Sequence, residues 1–167
     1  MTVRGLTPEA LQGDVGFCNC LADMGCIVEC DADGITVTGK PLGGITVDMN
    51  AISDTVQTLA AVALYADGPT AIVGVAHNRF KETDRIGDLA RELRKFGAHV
   101  DELPDGLRIV PAPLRGAMVE TYNDHRMAMS LALVGLQTPG VVILNPECTG
   151  KTYPRFFDDL RDLCAGG

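Results

Sequence analysis

The sequence has no apolar run close to the roughly 18 residues that a membrane-spanning helix requires, and residues 1–5 show no apolar signal-peptide segment. We therefore expect a cytoplasmic protein that has no membrane partner. Positive charge is also scarce, since 14 lysines and arginines face 22 acidic residues and the formal net charge is −8. This balance argues against nucleic acid as a partner, but it leaves room for a local cationic pocket that binds a small anion.

The cysteines lack the spacing of a metal-binding knuckle. There are six: Cys18, Cys20, Cys26, Cys30, Cys148 and Cys164. The first four are spaced as C-x-C and then by steps of six and four residues, and no paired C-x2-C motifs occur. We expect no metal site, and we interpret the cysteines as small buried or surface thiols that stay reduced in a cytosol.

The chain does have a repeated alternation of helix and strand patterns. Apolar spacing predicts helices over residues 13–24, 54–66, 86–96, 126–136 and 154–163. Alternating patterns predict strands over residues 26–30, 35–38, 45–49, 70–75, 98–102, 107–110, 117–121 and 141–144, with 40–44 as a connection. With 167 residues and 46% hydrophobic residues, this predicts an α/β protein with one domain and a real core.

Residues that match at an offset of 72 define the repeat. The matching pairs include Leu21 and Leu93, Gly25 and Gly97, Val28 and Val100, Gly34 and Gly106, Leu59 and Leu131, and Gly68 and Gly140. We predict βαβαββ units at about residues 1–44, 45–116 and 117–167. Only the middle unit is complete, so the domain is expected to be an incomplete set of three units.

Two charged segments lie between a predicted strand and the helix after it. They are Lys81-Glu82-Thr83-Asp84-Arg85 and Tyr122-Asn123-Asp124-His125-Arg126-Met127. Joints of this kind are where α/β proteins place ligands. Under the offset of 72, Asp54 matches Arg126, and Arg79 matches Lys151. Equivalent positions thus carry different charges, which indicates a fixed scaffold on which a site has diverged.

The two joints predict an anion site. We expect Arg85 and Arg126 in the first turns of helices, capped by Thr83 and Asp124, because guanidinium groups beside helix N-termini bind carboxylates and phosphates well. Lys151 adds a third cation. The alternative is that each arginine only pairs with a neighbouring acid such as Glu82 or Asp84.

Carboxyl groups placed among these cations are acid–base candidates. Asp54 and Glu82 fit that role, since a carboxyl group among cations stays ionised and a desolvated one keeps its proton. His125 is a third possibility, although a histidine at a helix start is more often a cap partner.

These segments resemble the C-terminal signature motifs of the 5-enolpyruvylshikimate-3-phosphate synthase family. The resemblance rests on the octapeptide from Asn78 to Arg85, on Tyr122-Asn123-Asp124-His125-Arg126-Met127-Ala128-Met129, on Lys151-Thr152-Tyr153-Pro154, and on Asp48-Met49-Asn50 with Ser53-Asp54. Their order and spacing agree along nearly the whole chain. The sister UDP-N-acetylglucosamine enolpyruvyl transferases share the repeat but are not expected to show the Asn-Asp-His-Arg-Met-Ala run.

The resemblance implies a fold, substrates and residue roles. The fold would be the inside-out α/β barrel, with helices packed inside and sheets outside. The substrates would be phosphoenolpyruvate and shikimate 3-phosphate, and no cofactor is implied. Asp54 would accept the proton of the shikimate 5-hydroxyl, and Glu82 would protonate the methylene carbon. Binding of phosphoenolpyruvate would fall to Arg85, Arg126 and Lys151, and binding of shikimate 3-phosphate to Asn78 and Lys81 together with Asp54.

The same resemblance implies that the chain is only part of an enzyme. Family members are about twice as long and have two domains, so we expect this chain to be most of the C-terminal one. The missing N-terminal domain would then be its partner, and the chain alone is expected to be inactive. The alternatives are a non-catalytic anion-binding module, or an enzyme similar to UDP-N-acetylglucosamine enolpyruvyl transferase.

Overall fold

The fold is that of a computed structural model, which describes residues 1–7, 10 and 13–165. Five α-helices and eleven strands alternate along it. The helices are α1 (Phe17–Asp23), α2 (Val56–Ala63), α3 (Gly87–Lys95), α4 (His125–Ala132) and α5 (Phe156–Ala165). The strands are β1 (Thr2–Arg4), β2 (Ile27–Cys30), β3 (Gly34–Thr38), β4 (Leu42–Gly43), β5 (Thr46–Asp48), β6 (Ala66–Asp67), β7 (Thr70–Val73), β8 (His99–Leu103), β9 (Gly106–Val110), β10 (Met118–Val119) and β11 (Val142–Ile143).

The predicted helices and strands are all present, but several end earlier than expected. Residues 50–55 and 133–136 form 3-10 turns at the ends of α2 and α4. Three short strands were missed: β4 lies within the predicted connection 40–44, β6 lies at the predicted end of the helix 54–66, and β1 was not among the predicted strands. They are too short to show a period in the sequence.

The strands of the middle unit form a four-stranded sheet in the order β5-β7-β9-β8. β5 pairs with β7 in parallel, and the other two pairings are antiparallel. One face is buried against the helices through Val100, Leu107 and Ile109, whereas His99 and Arg108 point to solvent. The sheet therefore lies outside the helices, with the core between them.

The offset of 72 is visible in the backbone. β3 and β9 begin and end 72 residues apart, and Gly25 and Gly97, which follow α1 and α3, both have φ of +110°. Gly34 and Gly106 are the first residues of β3 and β9, and the backbone of a neighbouring strand passes close to each of them. A Cβ atom at Gly106 would lie 1.8 Å from the carbonyl oxygen of Ile72, so a side chain has no space there.

Helices α2 and α4 pack against each other at equivalent positions. The hydroxyl groups of Thr58 and Ser130 are 2.9 Å apart, and these residues are separated by 72 positions. The side chains of Asp54 and Arg126, also 72 positions apart, form an ion pair. Because both contacts occur in the same order along the two segments, the helices run in the same direction. Their N-terminal ends therefore lie together.

The third unit leaves an apolar groove of about 520 Å³. It is lined by side chains that include Leu136, Val141, Ile143, Phe157 and Leu160. In the middle unit the strand β9 pairs with β7 at the equivalent place, whereas within the described ranges β11 pairs with β10 alone. Among the described residues, 117–165 thus have no counterpart of the hairpin that β8 and β9 form.

Candidate active site

Three cations meet at the carboxyl group of Asp54, two from the segment Lys81–Arg85 and one from the start of α4. Lys81 Nζ lies 2.5 Å and Arg85 Nη1 3.2 Å from its Oδ1, and Arg126 Nη2 lies 2.8 Å from its Oδ2. Arg126 also donates from Nη1 to the backbone carbonyl of Asp54 at 3.0 Å. Asp54 lies in the 3-10 turn Asn50–Thr55, two residues before α2, so the expectation that it lies in the first turn of the helix is wrong.

Arg85 is the buried centre of the network, with 1% of its side chain exposed. Its Nε and Nη2 donate to the carboxyl group of Asp124 at 2.6 and 3.2 Å. Nη2 also lies 2.8 Å from Glu82 Oε2. The expected neighbour pair with Glu82 therefore exists, but it is only one of three acidic contacts. Arg85 precedes α3 by two residues, so its predicted position in the first turn is also wrong.

Asp124 has two functions at once. Its Oδ1 accepts a hydrogen bond from the backbone N–H of Arg126 at 2.8 Å, which confirms the predicted cap of α4. The same fully buried carboxyl group holds Arg85. The sequence predicted the cap but not the contact with Arg85, because the two residues are 39 positions apart.

Just before α3, Asp84 and not Thr83 accepts hydrogen bonds from the backbone N–H groups at the helix start. The Oδ1 of Asp84 accepts hydrogen bonds from the backbone N–H groups of Ile86 and Gly87 at 3.1 and 3.0 Å. Thr83 instead donates its hydroxyl hydrogen to Asp88. The prediction of Thr83 as cap is therefore wrong, since the helix begins one residue later than expected.

Glu82 connects the buried part of the network with its exposed edge. One carboxyl oxygen contacts Arg85, and the other lies 3.1 Å from Lys151 Nζ, which is largely exposed. Lys151 ends the 3-10 turn Pro146–Lys151. The structure thus places Asp54, Glu82, Arg85 and Lys151 in one chain of contacts, although they come from three segments.

Asn78 and Lys81 lie on the other side of Asp54, around Ser53. Asn78 is buried and donates from Nδ2 to the carbonyl oxygen of Ser53 at 2.9 Å. Lys81 Nζ lies 3.2 Å from Ser53 Oγ. Among the described residues, Asn78 Oδ1 has no hydrogen-bond partner. Ser53 was not predicted as a site residue, and its place beside Asp54 in the quoted motif was the available signal.

His125 lies next to the network and is almost fully buried. Burial lowers the pKa of its imidazole, an effect that outweighs the opposing charge of Asp124. Its Nδ1 has no hydrogen-bond partner within the described part of the chain. A neutral ring in this position fits a packing role as well as a chemical one.

The two carboxyl groups predicted as acid and base both have lowered pKa values. Burial acts to raise the pKa of Asp54. The hydrogen bond from Lys81 and the charges of Arg126, Lys81 and Arg85 act in the opposite direction and outweigh burial, so the pKa of Asp54 is lowered overall. Burial also acts to raise the pKa of Glu82, and it is outweighed by a backbone hydrogen bond and by Lys151 and Arg85. Both groups are therefore ionised at neutral pH in this arrangement.

Four cations and three carboxyl groups thus share one cluster at the N-terminal ends of α2 and α4. A cavity of about 220 Å³, lined by Asp54, Arg126 and five further residues, borders it. The comparison with known families agrees with this geometry, because residues 1–160 match the family model of EPSP synthase (3-phosphoshikimate 1-carboxyvinyltransferase). The chain belongs to the EPSP synthase family.

Named relatives support this EPSP synthase assignment. A 3-phosphoshikimate 1-carboxyvinyltransferase of Nostoc punctiforme is 51% identical over 93% of this chain and 37% of its own length. One from Methanoculleus marisnigri is 48% identical over 96% of this chain and 38% of its own. The solved EPSP synthase of Acinetobacter baumannii superposes with a TM-score of 0.85 at 26% identity, over 96% of this chain and 41% of that one.

These matches confirm the predicted family and the inside-out α/β fold of the EPSP synthases. They also show that the chain spans less than two fifths of the length of the curated relatives that it matches. Among the described residues, no helix is both long and apolar enough to cross a membrane. In the same ranges, no three histidine, cysteine or acidic side chains are grouped as a metal site would need.

Proposed function

We propose that this chain forms one side of the active site of a 3-phosphoshikimate 1-carboxyvinyltransferase. Such an enzyme transfers the enolpyruvyl group of phosphoenolpyruvate to the 5-hydroxyl of shikimate 3-phosphate. The observation that supports this best is the convergence of the four motif cations Lys81, Arg85, Arg126 and Lys151 on the carboxyl groups of Asp54 and Glu82. A site for a small dianion needs several cations, and a transfer reaction needs a proton donor and a proton acceptor beside them.

In the proposed complex, the cations exchange their internal partners for substrate oxygens. The carboxylate of phosphoenolpyruvate would bind Arg85 and Arg126, and its phosphate would bind Lys151. Shikimate 3-phosphate would lie on the side of Asn78 and Lys81. A guanidinium group suits a carboxylate because its N–H groups form two parallel hydrogen bonds with the two oxygens.

This exchange would also prepare Glu82 to act as an acid. In the ligand-free arrangement Lys151 and Arg85 help to lower the pKa of Glu82. Substrate anions that bind these cations would remove that stabilisation and add negative charge nearby, and both changes raise the pKa of a carboxyl group. Glu82 would then carry a proton at neutral pH and deliver it to the methylene carbon of phosphoenolpyruvate.

The remaining steps follow from the charge that this protonation creates. The adjacent carbon becomes cationic, the 5-hydroxyl oxygen attacks it, and Asp54 accepts the hydroxyl proton. The tetrahedral product then loses phosphate and a methyl proton to form the enol ether. Asp54 fits the acceptor role because its lowered pKa keeps it ionised between Lys81 and Arg126.

The opposite side of this site would come from another domain. We propose that residues 1–167 are most of the C-terminal domain of such an enzyme, with the three units predicted from the offset of 72. Closure of two domains would exclude water from the cationic intermediate. Without the other domain, the chain would bind anions weakly and would not turn over.

A reconstitution assay tests this proposal. The chain is mixed with the part of the Nostoc punctiforme relative that lies outside the matched region, and phosphate release is measured with both substrates. We expect no turnover from either piece alone and measurable turnover from the mixture. We expect Glu82→Gln to lower it by about 100-fold or more, since general acids contribute roughly 10²–10⁴-fold, and Asp54→Asn to do likewise.

The matched control is Asp101→Asn, which removes a carboxyl group from an exposed ion pair on β8. This variant should leave the turnover of the mixture unchanged. Turnover by the chain alone would contradict the need for a second domain. A mixture that stays inactive, although both pieces are folded and the chain binds phosphoenolpyruvate, would favour a non-catalytic anion-binding module.

A further inference from the structure

The turn before α4 contains two consecutive residues in the left-handed region. Tyr122 has φ of +53° and Asn123 has φ of +57°. Residues with a side chain rarely adopt this conformation, and a bulky tyrosine does so only where its surroundings enforce it. In the middle unit the equivalent stretch begins the 3-10 turn Asn50–Thr55 and has no residue with positive φ, so the two equivalent segments differ in backbone conformation here.

A fully buried acid on α3 holds this turn. Glu92 accepts a hydrogen bond from the hydroxyl of Tyr122 at 2.7 Å through Oε1, and one from the backbone N–H of Glu120 at 3.0 Å through Oε2. Lys95 Nζ lies 2.6 Å from the same Oε2. The phenol stays protonated because burial, together with the neighbouring Glu92, raises the pKa of Tyr122 to about 12. It therefore acts as the donor in this contact.

The fold itself does not require an acid at this place. The residue 72 positions earlier is Cys20, which is also buried on the equivalent helix α1. An apolar residue thus fills the same position in the first unit. A buried carboxyl group is costly unless it is well paired, so the contacts of Glu92 with the turn indicate a role beyond packing.

The turn is joined directly to the site. Asp124 follows it, caps α4 and holds Arg85, and Arg126 comes two residues later and binds Asp54. We propose that Glu92 is a positioning residue that acts through Tyr122 to fix Asp124 in place. The direction of the Arg85 and Arg126 side chains depends on the same turn.

This inference rests on the proposed function for its catalytic meaning, but its structural part is tested without any activity. The probes are the backbone N–H groups of Asp124 and Arg126, which are hydrogen-bonded within and just after the turn. Their hydrogen exchange is followed by NMR in the 167-residue chain. We expect Tyr122→Phe to accelerate exchange at both sites about 10-fold, with Glu92→Gln weaker and Glu92→Leu stronger, because glutamine keeps an acceptor and leucine keeps none.

The control is Leu93→Ala, which opens a cavity beside Glu92 on the same helix and leaves the hydrogen bonds between Glu92 and the turn in place. When variants of equal global stability are compared, Leu93→Ala should change the hydrogen-exchange rates at the two probe sites by the same factor as those of the other N–H groups in α4. The same uniform pattern in Tyr122→Phe and in both Glu92 variants would overturn the proposal. Tyr122→Phe removes an oxygen that donates to Glu92 and also accepts from Arg91 at 3.1 Å. Arg91→Ala keeps the contact with Glu92 and should accelerate exchange less than Tyr122→Phe, so this pair decides the question even if the Glu92 variants fail to fold.

The reconstituted mixture then separates positioning from stability. We expect Tyr122→Phe to raise the KM for phosphoenolpyruvate about 10-fold, while the KM for shikimate 3-phosphate stays within about twofold. An unchanged ratio of the two KM values would contradict a role in aiming the arginines. If the wild-type mixture shows no turnover, the proposed function fails, and the exchange experiment still decides whether Glu92 holds the turn.

Discussion

The contact between Arg85 and Asp124 gives the sharpest stability prediction. Both side chains are buried, and the guanidinium donates to the carboxyl group at 2.6 and 3.2 Å. The variant Asp124→Asn removes the negative charge but keeps an oxygen that caps α4, since asparagine caps helices as well as aspartate does. It therefore isolates the electrostatic part of the contact.

The expected magnitude follows from what remains around Arg85. Breaking a buried ion pair costs about 3–5 kcal/mol because the surviving charge is left uncompensated. Glu82 and Asp54 still contact Arg85 after the substitution, so we expect the lower end, about 3 kcal/mol. In a domain of this size that corresponds to a fall in Tm of about 6–12 °C. Urea and thermal unfolding, measured at pH 7, test both numbers.

Two further variants make the result interpretable. Asp101→Asn breaks an exposed ion pair with Arg108 and should cost less than about 1 kcal/mol. The double variant Arg85→Met with Asp124→Asn leaves no unpaired charge at the centre, so it should be less destabilised than Asp124→Asn alone. A loss below about 1 kcal/mol in Asp124→Asn would refute the reasoning that Arg85 needs this partner.

Three other outcomes are expected. Gly106→Ala should lower the free energy of unfolding by about 3 kcal/mol or more, because its Cβ would lie 1.8 Å from the carbonyl oxygen of Ile72. Gly150→Ala is the control: its Cβ would meet open space, so urea unfolding should show a loss of less than about 0.5 kcal/mol. His125 has a lowered pKa, so wild-type stability should fall as the pH drops below about 6.5, and thermal unfolding of His125→Asn should lack that component. The lowered pKa of Glu82 adds stability that is lost as the pH falls through its folded pKa, so Glu82→Gln should flatten acid unfolding below about pH 4.5.

Most of the fold could be predicted because it depends on local periodicity and on the repeat. The apolar spacing of α3 and the turn between β8 and β9 are visible in the sequence, and their copies 72 positions earlier support them. The short strands β4 and β6 could not be predicted. Each has only two residues, which is too few to show an alternating pattern. These strands are defined by their pairing with each other across a distance in the sequence.

The candidate site was predicted as a set of residues but not as an arrangement. The motifs pointed to Asp54, Glu82 and Arg85, and the structure brings them into contact. The burial of Arg85 could not be deduced, because it depends on Asp124, which lies 39 positions away. Glu92 was missed for a similar reason: on an amphipathic helix it looks like one more surface acid, and only the packing of the Tyr122 turn shows otherwise.

The ion pair between Asp54 and Arg126 places a constraint on how such a site is built from repeated units. In a chain of identical units these two positions would carry the same residue, and two aspartates or two arginines would then face each other within about 3 Å and repel. Contacts between equivalent positions tolerate identical neutral partners, as the hydroxyl pair of Thr58 and Ser130 shows. A charged contact between equivalent positions therefore requires that the units differ there, as Asp54 and Arg126 do.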